Sequence, residues 1–210
     1  MDYPEEWKEL PRHERRMKIR ELERQRRKKS TSFKKIRNIL LTVIIIFILA
    51  TVFIFLTKKS PEQIEFEQQV ASVSLKGKVE KIAIEGRDHV LPGSTVLYKT
   101  NPPTSGNHLG QAENWGVYDK EIDDKAAVHG LEHGGIWISY KNIDEEAVKI
   151  LKRIGKNNSQ SVIVSPRLAN DDKIVVVSWG KMMRLKSVDN VLIEKYIDTY
   201  KNQSPEPLAN

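Results

Sequence analysis

The chain has no cysteine among its 210 residues. Disulfide bonds and thiol redox chemistry are therefore excluded, and an exported domain of this protein must be held together by its own core or by a bound group. No segment matches a P-loop, a dinucleotide fingerprint or the G-x-S-x-G turn of a serine hydrolase. Ser105, in the segment PPTSG, is therefore expected to stabilise a turn rather than to act as a nucleophile.

Charge is absent from eighteen consecutive residues, Ile39 to Leu56, directly after a block rich in lysine and arginine. At about 1.5 Å per residue, a helix of this length spans about 27 Å, which is close to the hydrocarbon thickness of a bilayer. A cleaved signal peptide is the alternative, but its apolar stretch has about 7–15 residues and precedes a small-residue cleavage site. Residues 39–57 are therefore predicted to form an uncleaved transmembrane helix.

The two flanks of this run differ in their content of basic residues. Residues 19–38 carry nine lysines and arginines, whereas residues 58–77 carry three. The flank that is richer in basic residues stays in the cytoplasm. The sequence therefore predicts a single-pass protein of the cell membrane, with a cytoplasmic N-terminus and an extracytoplasmic C-terminal part.

The net charge of +7 comes entirely from residues 1–38, which hold 14 of the 35 basic and seven of the 28 acidic residues. A basic tail beside a membrane is attracted to anionic headgroups by about 1 kcal/mol per basic residue. The tail has neither a nucleic-acid-binding motif nor interleaved aromatic residues. The predicted partner of this cytoplasmic tail is therefore anionic membrane lipid and not nucleic acid.

The rest of the chain is predicted to be a stalk over residues 58–78, an exported α+β domain over residues 79–207 and a short tail end at 208–210. Alternating and capped patterns predict these elements: strands at 79–84, 136–140, 161–165 and 173–179, and helices at 144–154 and 188–201. Their order predicts a single small mixed β-sheet with two packed helices. The long stretch from Arg87 to Asp124 is expected to be an ordered loop region, because it contains three aromatic residues.

Four of the five histidines lie in this loop region and at its exit: His89, His108, His129 and His133. The last two are four residues apart, which on a helix places their Cβ atoms about 5–6 Å apart, close enough to share one ion. On a strand the same residues stand about 13 Å apart. A metal site therefore requires residues 125–133 to be helical, with Asp123 or Asp124 as the N-cap and Gly134 at the end.

Imidazole groups bind Zn²⁺, Cu²⁺ and Ni²⁺ well. We therefore predict that these histidines hold a divalent transition metal, copper or zinc, for sequestration, sensing or structural support. The alternative is that they are hydrogen-bonded polar residues in a rigid loop region. Met182 and Met183 offer a soft ligand for Cu⁺, although core packing is the more common role of such a pair.

The segment from His129 to His133 also fits the H-x-x-E-H pattern, in which two histidines bind zinc and the glutamate activates water. Glu132 is thus the candidate catalytic residue of a metal-dependent hydrolase of the cell envelope. That class needs a further carboxylate ligand downstream, such as Glu194. Glu132 equally fits the role of a residue that does not bind the metal itself but hydrogen-bonds to a metal-binding imidazole and orients it.

A third possibility requires no metal. Under this hypothesis the domain has a docking surface for another envelope protein. The surface is predicted to consist of the proline-rich loop with Trp115, Tyr118 and Trp137.

The segments GRDHV, NPPTSGNH, WGVY, VHGLEHGGIWISY and SPEP together resemble a family of bacterial membrane-anchored proteins. This family is known as a domain of unknown function (number thirty-one-oh-five), and its motifs are PPTSG-x-H and VH-x-LEHG. The resemblance covers roughly residues 80–207, with Asn107 where a proline is expected. Because the family has no established activity, the resemblance implies a grouping of the four histidines with Glu132 and implies no reaction.

Overall fold

The computed structural model describes residues 4–209, apart from the side chains of residues 30–33 and 56. It divides into two compact units, one that ends at Ser60 and one that begins at Pro61. The first helix of the second unit begins at Pro61, a position that suits proline because the first turn of a helix leaves its N–H groups unbonded and proline has none.

The first unit is almost entirely helical. A 3₁₀ turn at Glu5–Lys8 is followed by α1, which spans Arg12–Thr57 over 46 residues. Within the described residues, α1 is the one helix that is long and apolar enough to cross a membrane. The predicted segment at residues 39–57 is thus the C-terminal part of a longer helix that also includes the basic residues.

The second unit contains a six-stranded mixed sheet in the order β1-β8-β7-β5-β6-β4. Its strands are β1 Val79–Lys81, β4 Gly116–Val117, β5 Ile136–Tyr140, β6 Val162–Pro166, β7 Ile174–Ser178 and β8 Lys181–Leu185. The β4–β6 and β5–β6 pairs are parallel, and the remaining pairs are antiparallel. The central strands β5 and β7 are buried along their whole length, which explains why all but one residue in each, Ser139 and Ser178, are apolar or aromatic.

A separate sheet consists of two short parallel strands, β2 His89–Val90 and β3 His108–Leu109. Their register places His89 directly opposite His108. Four helices in the described part of this unit complete the fold: α2 Pro61–Ser72, α3 Asp124–Glu132, α4 Glu145–Asn157 and α5 Asn190–Tyr200.

The α+β class is confirmed, but the prediction of one sheet with two packed helices is wrong. The small β2–β3 sheet and helices α2 and α3 are additional. Helix α2 lies in the segment predicted to be a stalk and contacts α5, where the Lys195 side chain donates to the Ala71 carbonyl at 3.0 Å. The stalk itself stays a prediction.

The two faces of the large sheet are covered by different elements. Alternate residues of β5 point to opposite faces, so Ile136 and Ile138 pack with α4 and α5, whereas Trp137 packs with α3. Met182 and Met183 divide in the same way between the two core clusters and are fully buried. Helix α3 is therefore held on one sheet face by its own apolar side.

The helix predicted to end at residue 154 continues through Gly155 to Asn157. A Cβ atom at Gly155 would lie 2.6 Å from Cγ2 of Val164 and 2.8 Å from Cγ2 of Val117. The glycine thus permits close packing of the helix on the sheet rather than terminating the helix. Asp144 is the N-cap of α4 and accepts a hydrogen bond from the Ala147 N–H at 2.7 Å.

Candidate metal centre

The site is assembled around helix α3, which is helical where the metal hypothesis requires it. Asp123 is the N-cap and accepts a hydrogen bond from the Lys125 N–H at 2.8 Å. The buried side chains of Ala127, Val128 and Leu131 fix the helix on the sheet. The opposite side of the helix therefore presents His129 and Glu132 to the loop region, and His133 follows as the C-cap.

Gly134 ends α3 as predicted, with φ of +90°, a conformation that glycine adopts without strain. Gly130 and Gly135 have a different role, because the ring of Trp115 lies against both of them. A Cβ at Gly135 would overlap atom Cζ3 of that ring, and one at Gly130 would lie 3.2 Å from it. The glycines of the HGLEHGG segment therefore admit a tryptophan close to the histidine-bearing helix.

His129 is 6% exposed, and its Nδ1–H donates to the Leu109 carbonyl at 2.7 Å. A carbonyl only accepts, so the proton of the neutral ring is on Nδ1 and the lone pair is on Nε2. Burial lowers the pKa of His129 below its usual value, because it disfavours the charged form. The neutral ring is the form that binds metals.

His108, on β3, is fully buried. Its Nδ1–H donates to the Gly106 carbonyl at 2.8 Å, which leaves the lone pair on Nε2. This Nε2 lies 3.0 Å from Oε2 of Glu132, in a direction that makes no hydrogen bond, and it has no other partner among the described residues. The edge of Trp179, 6.3 Å away between ring centroids, forms an apolar wall beside it.

His89 is the exposed member of the site. The β2–β3 pairing places its ring 5.1 Å from the ring of His108 and 5.0 Å from that of His129, measured between centroids. Residues from β2, β3 and α3 therefore meet at one point, although they are up to 43 positions apart in the chain.

One potential ligand atom from each of four residues lies within 4.8 Å of all the others: His89, His108, His129 and Glu132. This set of three imidazoles and one carboxylate can hold a metal ion, and its donors are those that Zn²⁺ and Cu²⁺ accept. The sequence predicted Glu132 as a base or an outer partner. Its carboxylate instead lies among the potential ligand atoms, and a catalytic role for it stays a prediction.

The fourth predicted histidine, His133, lies beside this group and outside it. Its Nε2 is 2.7 Å from Nε2 of His129, and its Nδ1 is 3.7 Å from Oε2 of Glu206. Glu206 was missed by the sequence analysis, which assigned no role to the closing SPEP segment. Nothing in its local sequence indicates a contact with a residue 73 positions earlier.

The segment that follows α5 crosses the end of α3. The Glu206 N–H donates to the Glu132 carbonyl at 3.2 Å, and the N–H groups of Leu208 and Ala209 both donate to the His133 carbonyl. The side chain of Asn202 is hydrogen-bonded to Ala209. We call residues 204–209 the C-terminal strap, since they hold the helix end that carries two site residues.

The PPTSG loop supports the site from the other side. Ser105 is buried and its hydroxyl accepts a hydrogen bond from the Glu85 N–H at 3.1 Å, which agrees with a structural role. The Tyr98 hydroxyl donates to the Asn107 carbonyl at 2.8 Å, and the Asn107 side chain accepts from the Asp88 N–H at 3.1 Å. These bonds fix the chain on both sides of Gly106, whose carbonyl orients His108.

The remaining residues that the sequence suggested for a role in binding or catalysis lie outside the four-residue group. Met182 and Met183 are buried in the core, which agrees with the expectation that this pair packs in the core. Glu194 is on α5, where it accepts a hydrogen bond from the Asn158 side chain at 3.2 Å, and it is not in the four-residue group. Trp137 is fully buried, so it contributes no area to a docking surface.

No curated protein and no solved structure matches the chain. One family model matches residues 89–210, which is more than half of the chain and includes all the site residues. That family is described as "Protein of unknown function (DUF3105)", and the chain belongs to it.

Proposed function

We propose that this protein binds one divalent transition-metal ion, zinc or copper, through His89, His108, His129 and Glu132. The observation that carries the proposal is the convergence of these four side chains from three separate elements, with three of them buried.

The protonation of the two buried histidines supports the proposal. Each donates its Nδ1–H to a backbone carbonyl, so each directs a lone pair from Nε2 into the site. The carboxylate of Glu132 adds further lone pairs and no hydrogen. Burying electron-pair donors against one another without a donor hydrogen is costly, whereas one cation between them satisfies all of them. The backbone carbonyls thus act as the outer partners that orient metal-binding imidazoles.

The donor set favours Zn²⁺ or Cu²⁺ over Cu⁺. Imidazole and carboxylate suit the divalent ions, whereas Cu⁺ prefers thiolate and thioether sulfur. The chain has no cysteine, and its two adjacent methionines, Met182 and Met183, are packed in the core. We therefore expect the site to bind Zn²⁺ or Cu²⁺ more tightly than Cu⁺.

The same proposal assigns the protein to the cell membrane. Helix α1 anchors it as a single-pass protein, with the basic segment in the cytoplasm near anionic lipid and the metal-binding domain outside. The length and composition of α1 and the unequal basic flanks support this topology. A partner protein in the envelope stays a prediction.

Metal content of the full-length protein in detergent tests the proposal. The wild type is expected to bind one zinc ion per chain by elemental analysis after dialysis. The double variant His108→Ala with His129→Ala is expected to bind none. His13→Ala is a matched control, because it removes the one histidine that lies in the basic part of α1, and it should bind as the wild type does.

Circular dichroism should show that the double variant keeps its helices. A wild type that takes up neither zinc nor copper would rule out the metal function. Retention of one ion by the double variant would place the ion elsewhere.

A further inference from the structure

The contact between His129 and His133 is not explained by the four-ligand group. The two Nε2 atoms are 2.7 Å apart, and the far side of the His133 ring faces Glu206, with Nδ1 3.7 Å from Oε2. His133 is therefore placed between a potential ligand on one side and a carboxylate on the other.

Neither neutral form of His133 suits both neighbours. His129 already presents a lone pair at Nε2, because its proton is on Nδ1. If His133 carries its proton on Nδ1, two lone pairs face each other at 2.7 Å. If it carries the proton on Nε2, then the lone pair of Nδ1 faces the carboxylate of Glu206. This Nδ1 atom is buried and has no hydrogen-bond partner among the residues described. A cation suits both neighbours: either a proton shared between the two Nε2 atoms, which leaves Nδ1–H facing the carboxylate, or a metal ion bound by both Nε2 atoms, with Glu206 completing a carboxylate–histidine–metal arrangement.

This second position cannot be filled at the same time as the first. His129 has a single free lone pair, so it binds one ion at a time, either with His133 or with the buried group. The two positions also differ in access to solvent. The side chains of His133 and Glu206 are 19% and 56% exposed, whereas three of the four members of the first group, all except His89, are buried.

We propose that His133, oriented by Glu206, is an exchange ligand. An incoming metal ion is first held by His133 and His129, and then passes to His129, His108, Glu132 and His89 as His133 is released. The ion leaves by the reverse order, so the net change is the transfer of one ion between solvent and the buried group. This inference rests on the proposed function of that group.

The C-terminal strap gives this position a fixed geometry. Three backbone N–H groups of the strap hold the carbonyls of Glu132 and His133, so Glu206 is attached to the same helix end as the histidine it faces. The pair is thus part of the ordered structure rather than a chance contact of two mobile side chains.

Exchange kinetics test the proposal. Zinc uptake by the full-length protein in detergent, and its release to a chromogenic chelator, are followed by stopped flow for the wild type, His133→Ala, Glu206→Gln and the control Glu145→Gln. We expect His133→Ala to slow uptake and release together, each by about tenfold, and Glu206→Gln to have a smaller effect in the same direction. Because both rates fall equally, affinity and the one-to-one stoichiometry should stay unchanged. Glu145→Gln, in the first turn of α4, should behave as the wild type.

The outcomes separate this inference from the proposed function. Unchanged rates in His133→Ala would overturn the inference and leave the metal site intact, with a shared proton as the explanation of the 2.7 Å contact. Lower equilibrium affinity at an unchanged uptake rate would also overturn it, since His133 would then be a permanent ligand. A wild type without bound metal would remove the proposed function itself.

Discussion

At the scale of single residues, the candidate site depends on which atom of each side chain faces inward. His108 and His129 are both oriented by main-chain carbonyls, of Gly106 and Leu109, which no substitution can delete. Among the described residues, no main-chain hydrogen bond to the Glu132 carboxylate is seen, and Glu132 is the one formally charged donor of the group. Its replacement by an isosteric amide is therefore the most informative single change.

Glu132→Gln removes the negative charge and keeps the shape of the side chain. If Glu132 is a ligand, zinc affinity should fall by about 10–100-fold, measured by competition with a chelator of known affinity. If it is instead the base of an envelope hydrolase, the variant should keep its metal affinity and lose turnover. Unchanged affinity would thus contradict the ligand assignment.

Glu194 provides a test of buried charge away from the site. Burial between α4 and α5 raises the pKa of Glu194 above its usual value near 4.5. The folded state therefore holds this proton more tightly than the unfolded state, and the wild type loses stability as the pH rises through the raised pKa.

Glu194→Gln does not titrate, and its amide oxygen can still accept from Asn158. At about pH 7.5 it should raise the melting temperature by about 2 °C, whereas below about pH 4 the two proteins should melt alike. Glu145→Gln is expected to change the melting temperature in the opposite direction, because a carboxylate in the first turn of a helix is stabilising. Equal melting temperatures at both pH values would contradict the assignment to Glu194.

At the scale of secondary-structure elements, the sequence predicts those with their own periodicity or caps. Strand β5 was predicted at its observed bounds, and a capping residue followed by apolar residues at helical spacing placed α4. Strands β2, β3 and β4 have two residues each, which is too short for any periodicity. The strand β8 was missed because Lys181 and Arg184 interrupt its apolar pattern.

The candidate site, like the secondary structure, was predictable only where a local sequence pattern carries the information. The spacing of His129 and His133 made a helix over residues 125–133 a requirement of the metal hypothesis, and the grouping of histidines indicated their convergence. The participation of Glu132 in the ligand group and the contact of Glu206 depend on side-chain directions and on long-range backbone pairing. No local pattern contains that information.

The packing of Trp115 against the end of α3 requires glycine at position 135, because the indole ring occupies the place of a Cβ atom. Gly135→Ala should reduce the free energy of unfolding by about 2 kcal/mol through overpacking, measured by urea denaturation. Gly110→Ala is the control, because its added Cβ would meet the His89 ring at 3.6 Å, an ordinary contact distance. A Gly135→Ala variant as stable as Gly110→Ala would show that the Trp115 ring can move without cost.

At the scale of the whole molecule, the absence of cysteine becomes an experimental advantage. A single introduced cysteine is the only thiol in the protein, so its labelling reports topology without background. Arg20→Cys, in the basic part of α1, and Lys120→Cys, at an exposed position of the second unit, test the predicted orientation. An impermeant maleimide applied to intact cells should label Lys120→Cys alone, and permeabilised cells should show both. Labelling of Arg20→Cys in intact cells would reverse the orientation.

Metal binding should also change the stability of the domain as a whole. A ligand that binds only the folded state at 100 times its dissociation constant adds about 2.7 kcal/mol to the free energy of unfolding. Zinc should therefore raise the melting temperature by about 5–10 °C, and excess chelator should reverse the change. The variant with His108→Ala and His129→Ala should not respond. A response of equal size in that variant would indicate nonspecific binding.

The C-terminal strap has a consequence for biogenesis. Its backbone bonds to Glu132 and His133 join parts of the chain that a ribosome makes about seventy residues apart. While translation has reached only α5, the end of α3 lacks these bonds and Glu206 does not yet exist. If the domain is exported as it is made, as the proposed topology requires, these backbone bonds form on the extracytoplasmic side, after residue 209 has crossed. On the proposed exchange route, an ion that passes through His133 and Glu206 would then be acquired on the extracytoplasmic side of the membrane.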